Sequence, residues 1–212
     1  MFFDRDDAGR KLAHAIGALP DDTLILGIPR GGVIVARAMA EELKKELDVL
    51  VVRKLGAPHN PELAIGAIGP NGAVTLDQDV LRALPNVPPE YIDREAARQL
   101  DEIRRRVPLY RGGDPYRDVA GRSVVVVDDG IATGSTARAA LRWLRGQGAT
   151  PVVLAVPVAP EHASQEFEKE ADRIVVLSSP PRFIAVGQWY AHFDQVSDDE
   201  VVAALAGARG AS

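Results

Sequence analysis

Short apolar runs alternate with amphipathic helical segments along most of the chain. The runs are rich in valine, isoleucine and leucine, and they lie at residues 23–28, 48–52, 123–127, 151–156 and 173–177. Runs that are apolar almost throughout are typical of parallel strands covered on both faces. The alternation therefore predicts an α/β fold, a doubly wound and mainly parallel β-sheet with flanking helices, built as one domain over residues 1–212.

Composition excludes several classes of function. The 25 Lys and Arg against 30 Asp and Glu give a net charge of −5, which argues against a broad surface for nucleic acid. Cysteine is absent, so disulfides, thiolate catalysis and Cys-ligated metals are excluded. No apolar run approaches the roughly 20 residues of a membrane span, and the first residues lack a signal pattern. We expect a cytoplasmic protein with neither a membrane nor a nucleic-acid partner.

Some segments have clear helical or irregular signatures. The first helix is predicted to run to Pro20, and the second to keep its apolar face as far as Leu47. Residues 55–60 contain Gly56, Pro58 and His59, which predict a mobile loop. A hairpin of residues 63–68 and 73–76 is expected to follow it, within a flexible segment of about residues 53–76.

Later parts of the chain add a charged helix, an irregular stretch and a last helix. The charged helix is predicted at about residues 88–107, with a narrow apolar stripe and the rest of its surface solvated or in contact with a second subunit. Residues 178–195 are irregular and aromatic. Ser197 and Glu200 form a capping box that predicts the start of a last helix.

Unusual residues follow three of the predicted strands. They are Arg30-Gly31-Gly32, Arg53-Lys54 and the segment 128–136. In open parallel sheets, ligands bind beyond the carboxyl ends of the strands. We therefore expect the three segments to converge on one site.

The segment 128–136 has the chemistry of a site for a phosphorylated sugar. Gly130 and Gly134 allow the backbone to fold closely, so that amides and hydroxyls of residues 132–136 form an anion cradle at a helix N-terminus. Asp128 and Asp129 would repel a bare phosphate, whereas sugar hydroxyls or Mg²⁺ are natural partners for them. A P-loop would need a lysine after Gly134, and G-x-G-x-x-G is absent from this segment. The plainer alternative is that the acids cap the helix and the glycines make a tight turn.

Residues 124–136, with the sequence VVVVDDGIATGST, resemble the signature of type I phosphoribosyltransferases that binds 5-phosphoribosyl-1-pyrophosphate (PRPP). Residues 29–32 are similar to the pyrophosphate loop of that family, residues 53–60 to its flexible catalytic loop and residues 183–193 to its hood. The resemblance implies a Mg²⁺-dependent homodimeric enzyme that transfers 5-phosphoribosyl from PRPP to a nitrogen of a nucleobase or related small acceptor, releasing pyrophosphate.

The resemblance also implies roles for individual residues. Asp128 and Asp129 would bind the ribose hydroxyls and the metal, while Arg30 and Lys54 would face the pyrophosphate; these four are the catalytic candidates. The candidate PRPP-binding residues are Arg30, Gly31, Gly32, Arg53, Lys54, Asp128, Asp129, Gly130, Ile131, Ala132, Thr133, Gly134, Ser135 and Thr136. The candidate acceptor-binding residues are Phe183, Val186, Gly187, Trp189 and Tyr190. Closure of residues 55–60 as a lid would exclude water from the reacting centre.

Two departures from the family pattern leave the acceptor open. Ala132 stands where members that use hypoxanthine or guanine generally place an aspartate, which makes a 6-oxopurine a less expected substrate. In the hood, where many purine enzymes place an acidic residue near magnesium, either His192 or Asp194 substitutes for that residue or neither does. The hood aromatics either stack on the acceptor or pack the C-terminal helix onto the sheet. The alternative function is a PRPP- or nucleotide-sensing regulatory protein without acceptor chemistry.

Overall fold

The computed structural model describes residues 1–84, 87–113 and 116–209. Its strands are β1 (Leu24–Gly27), β2 (Glu46–Val49), β3 (Arg53–Ala57), β4 (Asn60–Ile68), β5 (Val74–Leu76), β6 (Val124–Val127), β7 (Val152–Val158) and β8 (Arg173–Ser178). Its helices are α1 (Arg5–Ile16), α2 (Gly31–Leu43), α3 (Gln78–Ala83), α4 (Pro89–Arg111), α5 (Ser135–Gly146), α6 (Ala163–Phe167) and α7 (Asp198–Arg209), with a 3₁₀ turn at Val186–Trp189.

Five strands form a parallel sheet in the order β2-β1-β6-β7-β8. The central pair is in register from Leu24 beside Val124 to Gly27 beside Val127, and all four residues of β6 are buried. Alternate residues enter different cores: Val125 and Val127 pack with residues of α1, α2 and α7, whereas Val124 and Val126 pack with α5 and α6. Helices therefore cover both faces, and the predicted doubly wound α/β class is confirmed. That residues 1–212 form a single domain stays a prediction.

The prediction of a loop at residues 55–60 is wrong. Strands β3, β4 and β5 form a separate antiparallel sheet, with the turn between β3 and β4 at His59, whose φ is 63°. The strand accommodates Gly56 because the pairing shifts register on both sides of it. A larger residue would not fit there, since a Cβ at this position would lie 2.8 Å from the carbonyl oxygen of Pro61. Ile65 on β4 is fully buried, which fixes the hairpin on the rest of the fold. The predicted hairpin of residues 63–68 and 73–76 is confirmed by the antiparallel pairing of β4 with β5. Closure of residues 55–60 as a lid stays a prediction.

Two predicted boundaries are also wrong. Helix α1 stops at Ile16 rather than at Pro20, because Gly17 leaves the helical conformation with φ 73°. Helix α2 stops at Leu43, where Lys44 takes a left-handed conformation with φ 52°. Leu47 is therefore not on the helix but on β2, beside Ile25 of β1, so the strand begins before residue 48.

The charged helix and the last helix both form, although the charged helix runs to Arg111, one turn beyond its predicted end at about residue 107. Helix α4 begins with Pro89 in its first turn and buries Ile103 completely. Helix α7 begins with the predicted capping box, in which the Glu200 amide donates to Ser197 Oγ and the Ser197 amide donates to Glu200 Oε2. Among the described residues, no helix combines the length and apolar character needed to cross a membrane.

Candidate active site

The ends of β1, β2 and β6 meet at one edge of the parallel sheet. The segment after β1 lies against the acid pair, because an added Cβ at Gly31 would overlap the Asp129 carboxylate. An added Cβ at Gly32 would lie 2.7 Å from the Val127 carbonyl oxygen and 2.8 Å from the Asp128 Cα. Glycine is required at Gly32, where a Cβ would meet backbone atoms, whereas at Gly31 it would meet the ends of side chains that can shift. The sequence prediction that these strand ends converge is confirmed.

Residues 130–137 form a cradle around a cavity of about 190 Å³ that Asp128 also lines. Gly134, with φ 70°, ends the loop, and Ser135 is the first residue of α5. Among the residues that the structure describes, no side chain caps the first turn of α5, and Thr133 Oγ1 lies 3.2 Å from Ser135 Oγ. The amides of that turn are thus available to an anion, as a phosphate site at a helix N-terminus requires. The alternative that the acids serve as the helix cap is not what the structure shows.

Asp128 and Asp129 form a closely spaced pair of carboxyl groups at the mouth of the cradle. The Asp129 amide donates a hydrogen bond of 2.9 Å to Asp128 Oδ1. Burial, together with the neighbouring Asp129 carboxylate, raises the pKa of Asp128 well above its ordinary value. Burial also raises the pKa of Asp129, although Arg5 opposes the rise. A ligand that brings hydroxyl donors or positive charge would favour the ionised pair.

Arg5 is a site residue that the sequence reasoning missed. Its Nε and Nη2 atoms each lie 2.9 Å from Asp129 Oδ2, and the side chain is only 11% exposed. The two residues are 124 positions apart, and Arg5 belongs to the first turn of α1, where the sequence gives it no distinguishing neighbour. No local signal could have identified this pair.

A second cavity, of about 410 Å³, adjoins the cradle. Lys54 and Arg53 of β3 line it together with Pro29 and the hydroxyl residues Thr133, Ser135 and Thr136. Thus the structure brings the second and third predicted segments together. Arg30 itself is not among the lining residues; its Nη1 lies 4.0 Å from Asp198 Oδ1 at the start of α7, and its side chain is 41% exposed.

Helix α4 forms another wall of the 410 Å³ cavity, through Glu95, Arg98, Gln99 and Arg106. Gln99 Oε1 accepts from Arg53 Nε at 3.0 Å, and Gln99 Nε2 donates to Glu95 Oε1 at 2.8 Å. The sequence pattern predicts a solvated or subunit-contacting surface for this helix, and these four residues are not among the predicted site residues. A signal existed: Glu95 and Gln99 precede the buried Ile103 at intervals of four residues, so they share its helix face.

The predicted hood packs on the acid pair and on the first residues of the chain. Tyr190 is 5% exposed, its hydroxyl donates to the Asp129 carbonyl oxygen at 2.6 Å, and its ring centroid lies 5.4 Å from that of Phe2. Burial and the Asp129 charge raise the pKa of Tyr190. The Trp189 carbonyl accepts from the Phe2 amide at 2.7 Å. The observed role of Tyr190 is therefore packing, and it leaves little ring surface for an acceptor.

The other candidate acceptor residues lie close to this packing. Val186 is in contact with the cradle, since a Cβ added at Gly130 would lie 2.5 Å from Val186 Cγ1, and one added at Gly187 would lie 2.8 Å from the Phe193 ring. Trp189 and Phe183 are half-buried against the cluster that contains Tyr190. Acceptor binding by Phe183, Val186, Gly187 and Trp189 stays a prediction.

The acid pair fits a magnesium ion only in part. Within residues 1–84, 87–113 and 116–209, no cluster of three or more His, Cys, Asp or Glu side chains could hold a metal. One oxygen of Asp129 is already taken by Arg5. Mg²⁺ usually keeps several waters and is bound by one or two carboxylates plus substrate phosphates. Asp128 and Asp129 fit that second arrangement, in which most ligands come from substrate and water.

His192 and Asp194 are engaged elsewhere in the hood. The His192 ring lies 4.7 Å from the Phe3 ring, edge to face, and the Asp194 carbonyl oxygen accepts from Arg5 Nη1 at 2.9 Å. The observed contacts of His192 and Asp194 are a ring contact and a hydrogen bond to a backbone oxygen, and neither supports a role in binding a metal.

Comparison with known proteins identifies the class to which this fold and site belong. The family model described as phosphoribosyl transferase domain matches residues 6–192. The chain therefore belongs to the phosphoribosyl transferase family, and the resemblance stated from the sequence is confirmed.

Individual relatives agree with the family assignment. A Mycobacterium tuberculosis protein with the provisional name phosphoribosyl transferase is 48% identical over 206 residues, which are 97% of this chain and 46% of that protein. A Mycobacterium avium adenine phosphoribosyltransferase is 31% identical over 148 residues, 70% of this chain and 60% of that enzyme. A crystal structure of a Thermus thermophilus protein matches with a TM-score of 0.90 and 45% identity, covering 97% of this chain and 98% of that one. The chain spans about half the length of the M. tuberculosis relative.

Proposed function

We propose that the protein transfers the 5-phosphoribosyl group of PRPP to a nitrogen of a nucleobase or related small acceptor and releases pyrophosphate. The observation that carries the proposal is that Asp128 lines an anion cradle at the start of α5, and that Thr133, Ser135 and Thr136 of this cradle also line a cationic cavity with Arg53 and Lys54. PRPP has a phosphate at one end of its sugar, a pyrophosphate at the other and two hydroxyls between them. The site therefore offers a partner for each of these chemical groups.

Each part of the site has a physical role in this proposal. The first-turn amides of α5 and the hydroxyls of Thr133 and Ser135 bind the 5-phosphate. Asp128 and Asp129 accept hydrogen bonds from the ribose hydroxyls, which orients C1 toward the acceptor. Breaking the bond at C1 leaves negative charge on pyrophosphate, and the side chains of Arg53 and Lys54 are placed to stabilise it. Arg30 lies at the same sheet edge but contacts Asp198, so its part in binding pyrophosphate would require its side chain to turn.

Magnesium dependence is part of the proposal. When bound, Mg²⁺ would supply positive charge against the leaving pyrophosphate, with Asp128 and Asp129 as its protein ligands. The chain's own contribution is to hold these carboxylates next to the cradle and to keep the Arg53 guanidinium fixed through Gln99.

The acceptor is placed in the hood, beside Val186 and Gly187 where they contact the cradle and Phe193. Ala132 gives no carboxylate to exchange a proton with a 6-oxopurine, which favours other bases. The 31% identity to an adenine phosphoribosyltransferase supports testing adenine first. A homodimer is the expected assembly, and light scattering of the purified protein would test it.

Ligand-induced stabilisation is the direct test of the donor site. Thermal unfolding is measured with Mg²⁺ alone, Mg²⁺ with PRPP and Mg²⁺ with ribose 5-phosphate, for the wild type, for the double variant Asp128→Asn/Asp129→Asn and for Asp101→Asn, an exposed control on α4. PRPP at 100 times its dissociation constant should add about 2.7 kcal/mol to the wild type and to the control, and much less to the double variant. Equal stabilisation of all three proteins, or none, would contradict the proposal.

A further inference from the structure

Arg5 joins three parts of the molecule that the sequence keeps far apart. Its guanidinium contacts Asp129 Oδ2 through two nitrogens at 2.9 Å and the Asp194 carbonyl oxygen through the third. The guanidinium carbon also lies 4.0 Å from the centre of the Phe193 ring. One side chain thus bridges helix α1, the acid pair and the hood.

The backbone before Arg5 is fixed on the hood. The Phe2 carbonyl accepts from the Ala191 amide at 2.8 Å, and the Phe3 carbonyl accepts from the His192 amide at 2.9 Å. Asp4 then caps α1 by accepting from the Asp7 amide at 2.8 Å. Arg5 begins α1 directly after these contacts, so its position is determined from both sides.

Arg5 supplies positive charge beside the two carboxyl groups of the acid pair. Two adjacent carboxylates repel each other in a poorly solvated site. The Arg5 guanidinium offsets that repulsion and directs two N–H donors to one oxygen of Asp129, Oδ2. Asp129 is also confined on its other side, since an added Cβ at Gly31 would overlap both the Asp129 carboxylate and the Arg5 side chain. Asp129 is therefore held between the loop after β1 and Arg5.

We infer that Arg5 is a positioning residue for PRPP binding. Arg5 binds Oδ2 of Asp129, so that Oδ1 is left to accept a hydrogen bond from a ribose hydroxyl, and it connects the hood to the same carboxylate. This inference rests on the proposed function. It goes beyond the PRPP signature, because Arg5 lies outside every segment that resembles the family's loops. Arg5 acts through Asp129 and the hood rather than by touching the reacting atoms.

Three variants test this role. Arg5→Met keeps an apolar stem against Phe193 but removes the guanidinium, Arg5→Lys keeps a charge with fewer donors, and Arg10→Ala is a control on an exposed position of the same helix. The dissociation constant for PRPP is measured by titration calorimetry with Mg²⁺, and that for pyrophosphate without Mg²⁺, so that no metal held by Asp129 contributes to it. The KM for PRPP and kcat are measured separately with whichever base proves to be an acceptor.

Arg5→Met is expected to weaken PRPP binding about tenfold or more, the scale of a lost charge-assisted hydrogen bond, and to raise KM more than it lowers kcat. Arg5→Lys should recover part of the affinity. Binding of pyrophosphate, which has no ribose hydroxyls, should change little in either variant, and Arg10→Ala should match the wild type.

The outcomes separate this inference from the proposed function. A wild type that binds no PRPP would overturn the proposed function and the inference together. A wild type that binds PRPP, with Arg5→Met binding it equally well, would overturn the inference alone. Equal losses for PRPP and pyrophosphate would show a general effect on the fold and would also overturn it. If Arg5→Met does not fold, the affinities of Arg5→Lys for PRPP and for pyrophosphate are compared with those of the wild type in the same way.

Discussion

The hydroxyl of Tyr190 donates a hydrogen bond of 2.6 Å to the carbonyl oxygen of Asp129. The backbone of the second acidic residue is thereby attached to a buried residue of the hood, 61 positions further along the chain. The hood and the acid pair are joined through the backbone of Asp129 by Tyr190 and through its side chain by Arg5.

Replacing Tyr190 by phenylalanine tests the backbone connection. The variant keeps the ring packing but leaves the Asp129 carbonyl without this donor, so its free energy of unfolding should fall by about 1–2 kcal/mol. Urea unfolding measures the loss. The control Ile184→Ala, at a side chain that is 80% exposed in the same region, should change stability by about 0.5 kcal/mol or less. Equal stability of Tyr190→Phe and wild type would mean that the hydrogen bond contributes nothing.

Replacing Asp128 by asparagine should raise the stability of the ligand-free protein but abolish its stabilisation by PRPP. Burial and Asp129 raise the pKa of Asp128 above its value in the unfolded chain, so ionisation at neutral pH favours unfolding. The neutral amide should raise the free energy of unfolding at pH 7 by about 0.5–2 kcal/mol, and its oxygen can still accept from the Asp129 amide. PRPP should no longer stabilise this variant. A lower stability than wild type would contradict the account of the pair, and Asp101→Asn serves again as the exposed control.

Two neighbouring glycines should respond differently to alanine. The Cβ of Gly31→Ala would meet the ends of the Asp129 and Arg5 side chains, which can shift, so the protein should fold but lose PRPP affinity. The Cβ of Gly32→Ala would meet backbone atoms of Val127 and Asp128, which cannot move independently of the sheet. That variant should lose about 1–3 kcal/mol of stability. Calorimetry and urea unfolding would separate the two effects, and the reverse pattern would be evidence against the described packing.

The fold was predictable where its causes are local. Apolar runs and helical spacing determine β1, β6 and α5, and the rule for parallel sheets places their loops at one edge. The pairing of β3 with β4 was not predicted, because Gly56 and Pro58 indicate a break. In the structure Gly56 is accommodated by shifted registers, and Pro58 lies in the turn between the two strands. Arg5 was not predicted because its partner, Asp129, lies 124 positions away on a different loop, and no rule of sequence spacing relates the two residues.

Asp172 gives the clearest dependence of stability on pH. Burial acts to raise the pKa of Asp172, but hydrogen bonds from the Val152 amide at 2.7 Å and from Arg145 at 2.8 Å outweigh it and lower the pKa. Its contribution to stability is therefore present above the unfolded pKa and is lost as pH falls through the folded one.

Asp172→Asn should cost no more than about 1 kcal/mol at pH 7, because the side chain is 40% exposed and its ion pair is screened. The difference from wild type should shrink as pH falls below 3.8, the ordinary value. Urea unfolding between pH 7 and pH 3 measures it. A difference that stays constant over this range would show that the carboxylate charge plays no part.

Release of pyrophosphate from PRPP tests the central claim most directly. Purified protein with Mg²⁺ and PRPP is incubated with adenine, guanine, hypoxanthine, xanthine, uracil and orotate in turn, and pyrophosphate and the phosphoribosylated product are both quantified. The account predicts that at least one base gives the two products in equal amounts with the wild type and neither with Asp128→Asn/Asp129→Asn. Tight binding of PRPP without product from any base would contradict a transferase and favour a PRPP sensor.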